Sequence, residues 1–254
     1  MPDVTAQVLS RPWFYRFELP GGQCTESYLP AEAQAVHSTR LAMLDSCLQA
    51  LFSGAWSGLR AIDLACHEGF FSAHLAKLGV AEIIGIDARQ SHVDDAMLMA
   101  RALGNSAFTG HCADLFDIGP ERWGSFDIVL NLGLIYHLEN PVGALRISRA
   151  LTRRVCLVET QVAPNLSGPL DWGHYEFVKP MQGSFAVIDE TEETHGPEMS
   201  TAGICLAPSV EALLWIMRKV GFDRVELLKP PENSYEQHRF GKRVMVAGYV
   251  DATG

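Results

Sequence analysis

Paired cysteines, basic residues and long apolar runs are all scarce in this sequence. Its six cysteines are scattered through 254 residues without a C-x-x-C pair, which argues against disulfides or metal ligands and predicts reduced thiols. Lysine and arginine number 20 against 30 acidic residues, and this net charge of −10 argues against a broad nucleic-acid-binding face. No apolar run approaches the ~20 residues that cross a membrane, and no signal peptide is evident. A soluble, cytoplasmic protein without nucleic-acid or membrane partners is therefore predicted.

Hydrophobic residues make up 48% of the chain, enough for a substantial core. The length suits one α/β domain with an insertion, so we predict a single domain over residues 1–254. Residues 1–52 form an N-terminal extension in this prediction, and residues 160–206 form a capping insertion. The insertion is far longer than the ~2–6 residues that such connections normally need.

The centre of the sequence is a strand, a turn and a helix. Residues 60–64 begin with an arginine and continue with apolar residues and one acid, and they predict a short buried strand. A turn containing the small residues Ala65, Cys66 and Gly69 follows at 65–69, and a helical pattern begins at Phe70. This arrangement is typical of nucleotide-binding α/β sheets, where the backbone and the start of the helix approach the ligand. Asp87 ends a second strand eighteen residues after Gly69, a spacing that suits a carboxylate accepting hydrogen bonds from ribose hydroxyls.

The turn lacks the glycines of a dinucleotide-binding site. A G-x-G-x-x-G motif would need glycine where Ala65 and His67 stand, so a pyrophosphate would meet their side chains. The strand residue Asp63 would also repel a pyrophosphate, whereas it would favour a cationic amino-acid tail. We therefore expect a cofactor with ribose and adenine but without phosphate.

At these residues the chain resembles the class I S-adenosylmethionine-dependent methyltransferases, whose first motif reads roughly D-x-G-x-G-x-G. Ala65 and His67 replace the first two glycines, and His67 could narrow the cofactor site. The resemblance implies that the Asp114 carboxylate accepts a hydrogen bond from the adenine amino group. The backbone N–H of the next residue would donate a hydrogen bond to the adenine. The resemblance also implies S-adenosylmethionine as the cofactor. The predicted cofactor-binding residues are Asp63, Ala65, Cys66, His67, Gly69, Asp87, Ala88, Asp114, Leu115 and Asn131.

The end of the fourth predicted strand supplies the candidate catalytic residues. Ligands in open α/β sheets bind outside the carboxyl ends of the strands, which places Tyr136 and His137 where substrate meets cofactor. Histidine suits general-base work near neutral pH, although positioning alone suffices for many methyl transfers. Glu159 ends the fifth strand at the same edge and is expected to hold a polar group of the substrate or orient the base. Structural roles for His137 and Glu159, satisfied by nearby backbone, are equally compatible with the sequence.

Two aromatic segments are candidates for binding the substrate. Near the N-terminus, the aromatic side chains either pack on the core or form a flap over the ligand. The insertion carries aromatics and an acid-rich run, 189–193, followed by His195. This run is either a solvated loop, a site for a cationic or polyhydroxylated substrate, or a divalent-metal site, and we predict no metal. The predicted substrate residues are Trp13, Tyr15, Arg16, Trp172, His174, Tyr175 and Arg243.

Two longer motifs sharpen the resemblance. N-L-G-x-I-Y-H-L-x-N-P at 131–141 and W-x-Y-x-x-x-L-P-G-G at 13–22 are similar to the methyltransferase group that includes the bacterial tRNA wobble-uridine carboxymethyltransferase. In that enzyme a tyrosine and an arginine hold the extra carboxylate of a carboxylated cofactor, and Tyr136 and Arg243 fall at matching places. Its Lys/Trp-rich RNA-binding region has no counterpart here, which argues against a tRNA substrate.

The fold expected from these features is a Rossmann-like, seven-stranded class I methyltransferase sheet. It carries a helical and aromatic N-terminal extension and a substrate-capping insertion after strand 5. The expected function is methyl transfer to an oxygen or nitrogen of a small polar metabolite or sugar. A tRNA-modifying (carboxy)methyltransferase, an oligosaccharide O-methyltransferase and a non-catalytic nucleoside-binding protein are also compatible with the sequence. The protein is either a monomer or an oligomer such as a homodimer, because the sequence does not determine the oligomeric state.

Overall fold

A seven-stranded sheet is the centre of the computed structural model, which describes residues 4–171, 173, 179–191, 193 and 199–251. Its strands are β1 (Arg60–Leu64), β2 (Glu82–Asp87), β3 (Phe108–Cys112), β4 (Phe126–Leu132), β5 (Thr152–Gln161), β10 (Arg224–Leu227) and β11 (Arg243–Tyr249). Their order is β10-β11-β5-β4-β1-β2-β3. β11 runs antiparallel to both neighbours, and the remaining pairs are parallel. This seven-stranded, mostly parallel sheet agrees with the predicted Rossmann-like fold.

Helices cover both faces of this sheet. Those described are α1 (Val4–Leu9), α2 (Ala31–Phe52), α3 (Phe70–Leu78), α4 (Gln90–Ala102), α5 (Pro120–Trp123), α6 (Pro141–Leu151), α7 (Val210–Lys219) and α8 (Glu236–Arg239). One apolar cluster lies under α2, α3 and α4, and a second lies under α6 and α7. No helix within the described ranges is long and apolar enough to cross a membrane.

The central strand β4 shows why these segments form a sheet with two covered faces. All seven of its residues are buried, as expected of a parallel strand between two helical layers. Ile128 packs into the first apolar cluster and Val129 into the second, because successive side chains of a strand point to opposite faces. The one carboxylate at its start, Asp127, pairs with Arg153 at 2.5 Å.

The region after β5 adds two small sheets. β6 (Gly168–Leu170) pairs with β7 (Lys179–Met181), and β8 (Phe185–Asp189) pairs with β9 (Ile204–Pro208). β5 continues to Gln161, two residues beyond its predicted end at Glu159. The predicted insertion therefore starts inside β5 and ends inside β9.

The sheet topology brings the candidate residues to one edge. From β1 the chain winds outward through β2 and β3, then returns to place β4 on the other side of β1. Such a reversal opens a crevice at the carboxyl ends of the strands. Arg243 begins the antiparallel β11 opposite Gln161 at the end of β5, so it reaches the same edge.

Candidate functional site

A cavity of about 340 Å³ opens at the carboxyl edge of the sheet. This volume is within the ~300–1,000 Å³ typical of sites for small ligands. Distant parts of the chain converge on it: the N-terminal arm, α2, the four turns after β1 to β4, the end of β5, the segment before β9 and the start of β11. The main lining residues are Phe14, Tyr15, His37, Arg40, Ala65, His67, Gln161, Arg243 and residues 87–89, 113–116, 132–134, 136–138 and 199–201.

The turn after β1 has the backbone of a glycine-rich loop although it contains a single glycine. Ala65, His67 and Gly69 have φ angles of 57°, 51° and 77°. The left-handed conformation costs about 1–2 kcal/mol for a residue with a side chain, and such strain concentrates at functional sites. Ala65 and His67 line the cavity. Gly69 instead caps α3, where a Cβ would lie 3.2 Å from the Cβ of Ala96.

Asp87 presents an oriented carboxylate at the end of β2. It accepts hydrogen bonds from the backbone N–H of His67 at 3.0 Å and of Arg89 at 2.9 Å. Nδ1 of His92 lies 3.3 Å from the same carboxylate. Burial acts to raise the pKa of Asp87, but these contacts outweigh it and hold the pKa below its ordinary value. The group is therefore an anion, facing the cavity beside the left-handed turn.

Three predicted cofactor contacts point into the protein and do not line the cavity. Asp63 accepts a hydrogen bond from the Ser72 hydroxyl at 2.8 Å, and burial raises its pKa to about 7. The Cys66 sulfur packs against the backbone of β2, and the amide nitrogen of Asn131 donates to Ser148 at 3.0 Å. Strand alternation and the turn direct these three side chains beneath the cavity surface, so the structure does not bring them into the cavity wall as the sequence analysis expected.

The segment after β3 forms another wall of the cavity. Asp114 lines it, and its carboxylate also accepts from the backbone N–H of Phe116 at 2.8 Å, capping a short 3₁₀ helix, Leu115–Asp117. Asp114 therefore both caps this short helix and lines the cavity. Leu115 and Phe116 add apolar surface beside it, and Ala88 lines the cavity from the turn after β2.

His137 is held by a carboxylate that belongs to the acid-rich run. Its Nδ1 lies 2.7 Å from a carboxylate oxygen of Glu190, which is 3% exposed and also accepts from the backbone N–H of Ser200 at 3.0 Å. A carboxylate only accepts, so Nδ1 carries a proton, and in the neutral form of the ring Nε2 has the basic lone pair. The expectation of a solvated or ligand-binding run is wrong at Glu190, whose side chain is buried against His137.

Glu159 is the anionic centre of a buried charge cluster. Its side chain does not line the cavity, where a base or a substrate contact would have to lie. Its carboxylate lies 2.7 Å from Arg40, 3.1 Å from Arg243 and 3.2 Å from His238, and it is fully buried. Burial acts to raise the pKa of Glu159, but the two arginines hold it well below the usual range. Arg243 also contacts the Tyr136 hydroxyl at 3.3 Å. The cluster fixes both arginines at the cavity wall.

The N-terminal arm divides its aromatics between core and cavity. Trp13 is fully buried, with its indole N–H donating to the Val8 carbonyl at 2.7 Å, and Arg16 is exposed. Neither residue lines the cavity, so the structure does not place these two predicted substrate residues in its wall. Glu68, in the turn after β1, accepts from the backbone N–H of Phe14 and Tyr15 at 2.9 and 3.0 Å. This anchor places Phe14 and Tyr15 in the cavity wall.

Several predicted residues of the insertion lie outside the described residues: Trp172, His174, Tyr175 and His195. Residues 199–201 are described, and they line the cavity beside the turn after β2. Arg89 connects these parts by donating to the Met199 carbonyl at 2.5 Å. Within the described parts of the chain, no cluster of three His, Cys, Asp or Glu could hold a metal ion.

Among the residues of the site that the sequence prediction missed are Phe14, His37, Arg40 and Glu190. His37 and Arg40 are three residues apart on α2, and the buried positions Leu44 and Cys47 continue the same helical face. A periodicity count that included polar residues would have placed both on the inner face. Phe14 gave no comparable signal, and the acid-rich run 189–193 did not show that Glu190 would be the acid buried against His137, because contacts with distant parts of the chain position both residues.

Comparison with known proteins agrees with this geometry. The family model described as a methyltransferase domain matches residues 56–193, more than half of the chain. A ubiquinone biosynthesis O-methyltransferase from Cereibacter sphaeroides is 33% identical over 99 residues, which cover 39% of this chain and 38% of that protein. The tRNA U34 carboxymethyltransferase of Ectopseudomonas mendocina is 24% identical over 188 residues, covering 72% of this chain and 51% of the relative. The matches thus span about two-fifths to half of these curated relatives.

A solved structure extends the agreement to nearly the whole fold. The N-terminal domain of EvdMO1, determined in the presence of SAH and D-fucose, superposes with a TM-score of 0.66 at 19% identity. The superposition covers 97% of this chain and 94% of that domain. It confirms the predicted class I methyltransferase sheet, and the family match confirms the predicted S-adenosylmethionine-dependent class. The chain belongs to the methyltransferase-domain family.

Proposed function

We propose that this domain binds S-adenosylmethionine in the cavity and methylates an oxygen or nitrogen of a small polar molecule or sugar. When bound, S-adenosylmethionine supplies an electrophilic methyl group on a sulfonium centre. The observation that carries the proposal is the pairing of the Asp87 carboxylate with the left-handed turn at Ala65 and His67. The oriented anion suits ribose hydroxyls, and the cavity volume of about 340 Å³ suits a nucleoside.

The remaining cofactor contacts follow from the walls around Asp87. Residues 113–116 would enclose the adenine, with the Asp114 carboxylate near its amino group. Ala65 and His67 would hold the amino-acid tail at the backbone of the turn. Asp63 would act on the tail only through the turn, because it is buried beneath it.

His137 is the residue best placed to take a proton from an acceptor. Glu190 holds Nδ1, so Nε2 would take the proton that the acceptor loses on methylation. Tyr136 lies beside it, with ring centroids 4.1 Å apart, and its hydroxyl contacts Arg243. Phe14 and Tyr15 on the opposite arm would keep water away from the acceptor.

Calorimetric titration with S-adenosylmethionine and its demethylated product tests this proposal. Replacing Asp87 by alanine is expected to weaken both affinities at least tenfold, because a charged hydrogen-bond acceptor for the ribose is lost. Asp94→Ala is the matched control, since Asp94 is exposed on α4 away from the cavity. Equal affinities in the wild type and both variants would refute the assignment of the ribose site.

A carboxylated cofactor is the second candidate, and one contact favours it. The Arg243 guanidinium lies 3.3 Å from the Tyr136 hydroxyl, and both side chains line the cavity. Two buried guanidiniums, of Arg40 and Arg243, face the single carboxylate of Glu159. An additional carboxylate on the cofactor would balance this charge. The similarity to the tRNA U34 carboxymethyltransferase points in the same direction.

Comparison of the plain and carboxylated cofactors separates the two candidates. A preference for the carboxylated form that is lost in Tyr136→Phe would support the second candidate and revive a tRNA substrate. Tyr249→Phe is the control, because the Tyr249 hydroxyl bonds to Cys47 and Glu226 away from the cavity. Tighter binding of plain S-adenosylmethionine than of the carboxylated form would exclude the second candidate.

An oligosaccharide substrate and a non-catalytic binding function have less support. The oligosaccharide substrate depended on the aromatic and acidic insertion, of which Glu190 is buried against His137. Glycan-array binding is its test. The non-catalytic function depended on the glycines missing at 65 and 67, but Ala65 and His67 adopt the left-handed backbone of those glycines. Failure of every cofactor form to bind would be needed to restore it.

A further inference from the structure

His37 is a buried histidine that faces the cavity without a hydrogen-bond partner. It is 5% exposed on α2, and its ring centroid lies 5.2 Å from that of Phe14 and 4.5 Å from that of Tyr15. Neither ring nitrogen is hydrogen-bonded to any part of the chain that the structure describes. Leaving a buried polar group unpaired carries a free-energy cost, because the group has lost its hydrogen bonds to water. A ligand in the cavity would remove this cost.

The protonation state of His37 restricts what that ligand can be. Burial, and then the positive charge of Arg40, lower the pKa of His37 to about 3. The ring is therefore neutral at physiological pH and offers one donor and one acceptor. A hydroxyl group complements both, because it donates as well as accepts. A carboxylate would leave the acceptor nitrogen unpaired and against negative charge.

Arg40 supplies a second unused donor next to His37. It is three residues further along α2, so the two side chains leave the helix on one face. Its Nη2 lies 2.7 Å from Glu159, which fixes the guanidinium, while Nε is buried and unpaired among the described residues. A Cβ on the cavity residue Gly133 would lie 2.9 Å from Nη2. The arginine is thus held in place with one N–H left for an oxygen acceptor.

We propose that His37 and Arg40 form an oxygen-binding subsite for the methyl acceptor. The acceptor would carry two neighbouring oxygens, of which at least one is a hydroxyl: the hydroxyl binds His37 and its neighbour accepts from Arg40 Nε. A vicinal diol of a sugar-like ring and a catechol share this chemistry. This inference rests on the proposed function, because it requires the cofactor and acceptor to share the cavity.

Calorimetry on the protein saturated with S-adenosylhomocysteine tests the substrate class. Catechol is compared with phenol, and cis-cyclohexane-1,2-diol with cyclohexanol, so that each pair differs by one oxygen. The dioxygen member of one pair is expected to bind at least tenfold more tightly than its control. The pair that shows the difference identifies the ring type. Equal affinity within both pairs, or no binding by any of the four probes, would overturn the proposal.

His37→Phe tests the residue, because it keeps an aromatic ring between Phe14 and Tyr15 and removes both nitrogens. The affinity for the dioxygen probe is expected to fall at least tenfold. The affinity for S-adenosylhomocysteine should stay within twofold of the wild type, and the unfolding midpoint of the unliganded variant should be equal to or higher than that of the wild type. His74→Phe is the control; His74 pairs with Asp45 at 2.6 Å outside the cavity wall. It should leave probe binding unchanged.

The possible failures are distinguishable. Weaker S-adenosylhomocysteine binding in His37→Phe would assign His37 to the cofactor and overturn the proposal. A lower unfolding midpoint of the unliganded variant would show that His37 has a structural role, with the same consequence. Absence of S-adenosylhomocysteine binding to the wild type would overturn the proposed function itself, and this inference with it.

Discussion

Replacing Glu159 by glutamine tests the most consequential electrostatic feature of the structure. The carboxylate is fully buried between Arg40 at 2.7 Å and Arg243 at 3.1 Å, with His238 at 3.2 Å. Glutamine has nearly the same shape but no charge, so both guanidiniums would stay buried without an anion. Removing one partner of a buried ion pair costs about 3–5 kcal/mol, because the remaining charge is uncompensated.

The expected loss in the free energy of unfolding is therefore about 3–5 kcal/mol at pH 7. At about 2–4 °C per kcal/mol for a protein of this size, the melting temperature would fall by roughly 6–20 °C. Urea unfolding followed by circular dichroism measures the free energy directly. Because the folded-state pKa of Glu159 is depressed, its contribution is complete above the unfolded value of about 4.3 and is lost as the pH falls further. The difference between wild type and variant should then shrink in acid.

Glu226→Gln is the control for this measurement. Glu226 pairs with Arg224 at 2.6 Å, but both side chains are about half exposed, at 49% and 55%. An exposed pair contributes at most about 1 kcal/mol, so this variant should unfold close to the wild type. If Glu159→Gln were no more destabilised than Glu226→Gln, the reasoning about the buried charge cluster would be refuted.

Two other buried carboxylates give further predictions. Burial raises the pKa of Asp63 to about 7, so its folded state favours the protonated form and wild-type stability falls as the pH rises towards that value. In urea unfolding, the free energy of unfolding of Asp63→Asn relative to wild type should rise by on the order of 2 kcal/mol between pH 5 and pH 8. The same free-energy difference between the two proteins at both pH values would contradict this. Glu68→Ala should speed amide hydrogen exchange at Phe14 and Tyr15 at least tenfold and weaken S-adenosylhomocysteine binding, because the arm loses its anchor. Exchange rates equal to those of the wild type would show that other contacts hold the arm.

Local patterns in the sequence determined most of the fold. Strand β1, the turn and the start of α3 at Phe70 were all predictable, because apolar runs and small residues report local conformation. The side chain of Ser209 caps α7 by accepting from the Ala212 amide at 3.2 Å, and serine is among the residues preferred at that position. The sequence also determined the position of Asp87 at the end of β2, since strand length and spacing place it there.

Only the tertiary structure decided the roles of the polar residues at the site. Glu159 and Glu190 are both acids near the same edge, yet the first binds arginines and the second binds His137. Trp13 and Tyr15 are two residues apart on the arm, yet Trp13 packs in the core and Tyr15 lines the cavity. The hydrogen bonds from the backbone of Phe14 and Tyr15 to Glu68 place these two residues at the cavity. These outcomes depend on contacts between residues far apart in the chain. Spacing in the sequence carries no information about them, because a carboxylate has the same local preferences whichever partner it meets.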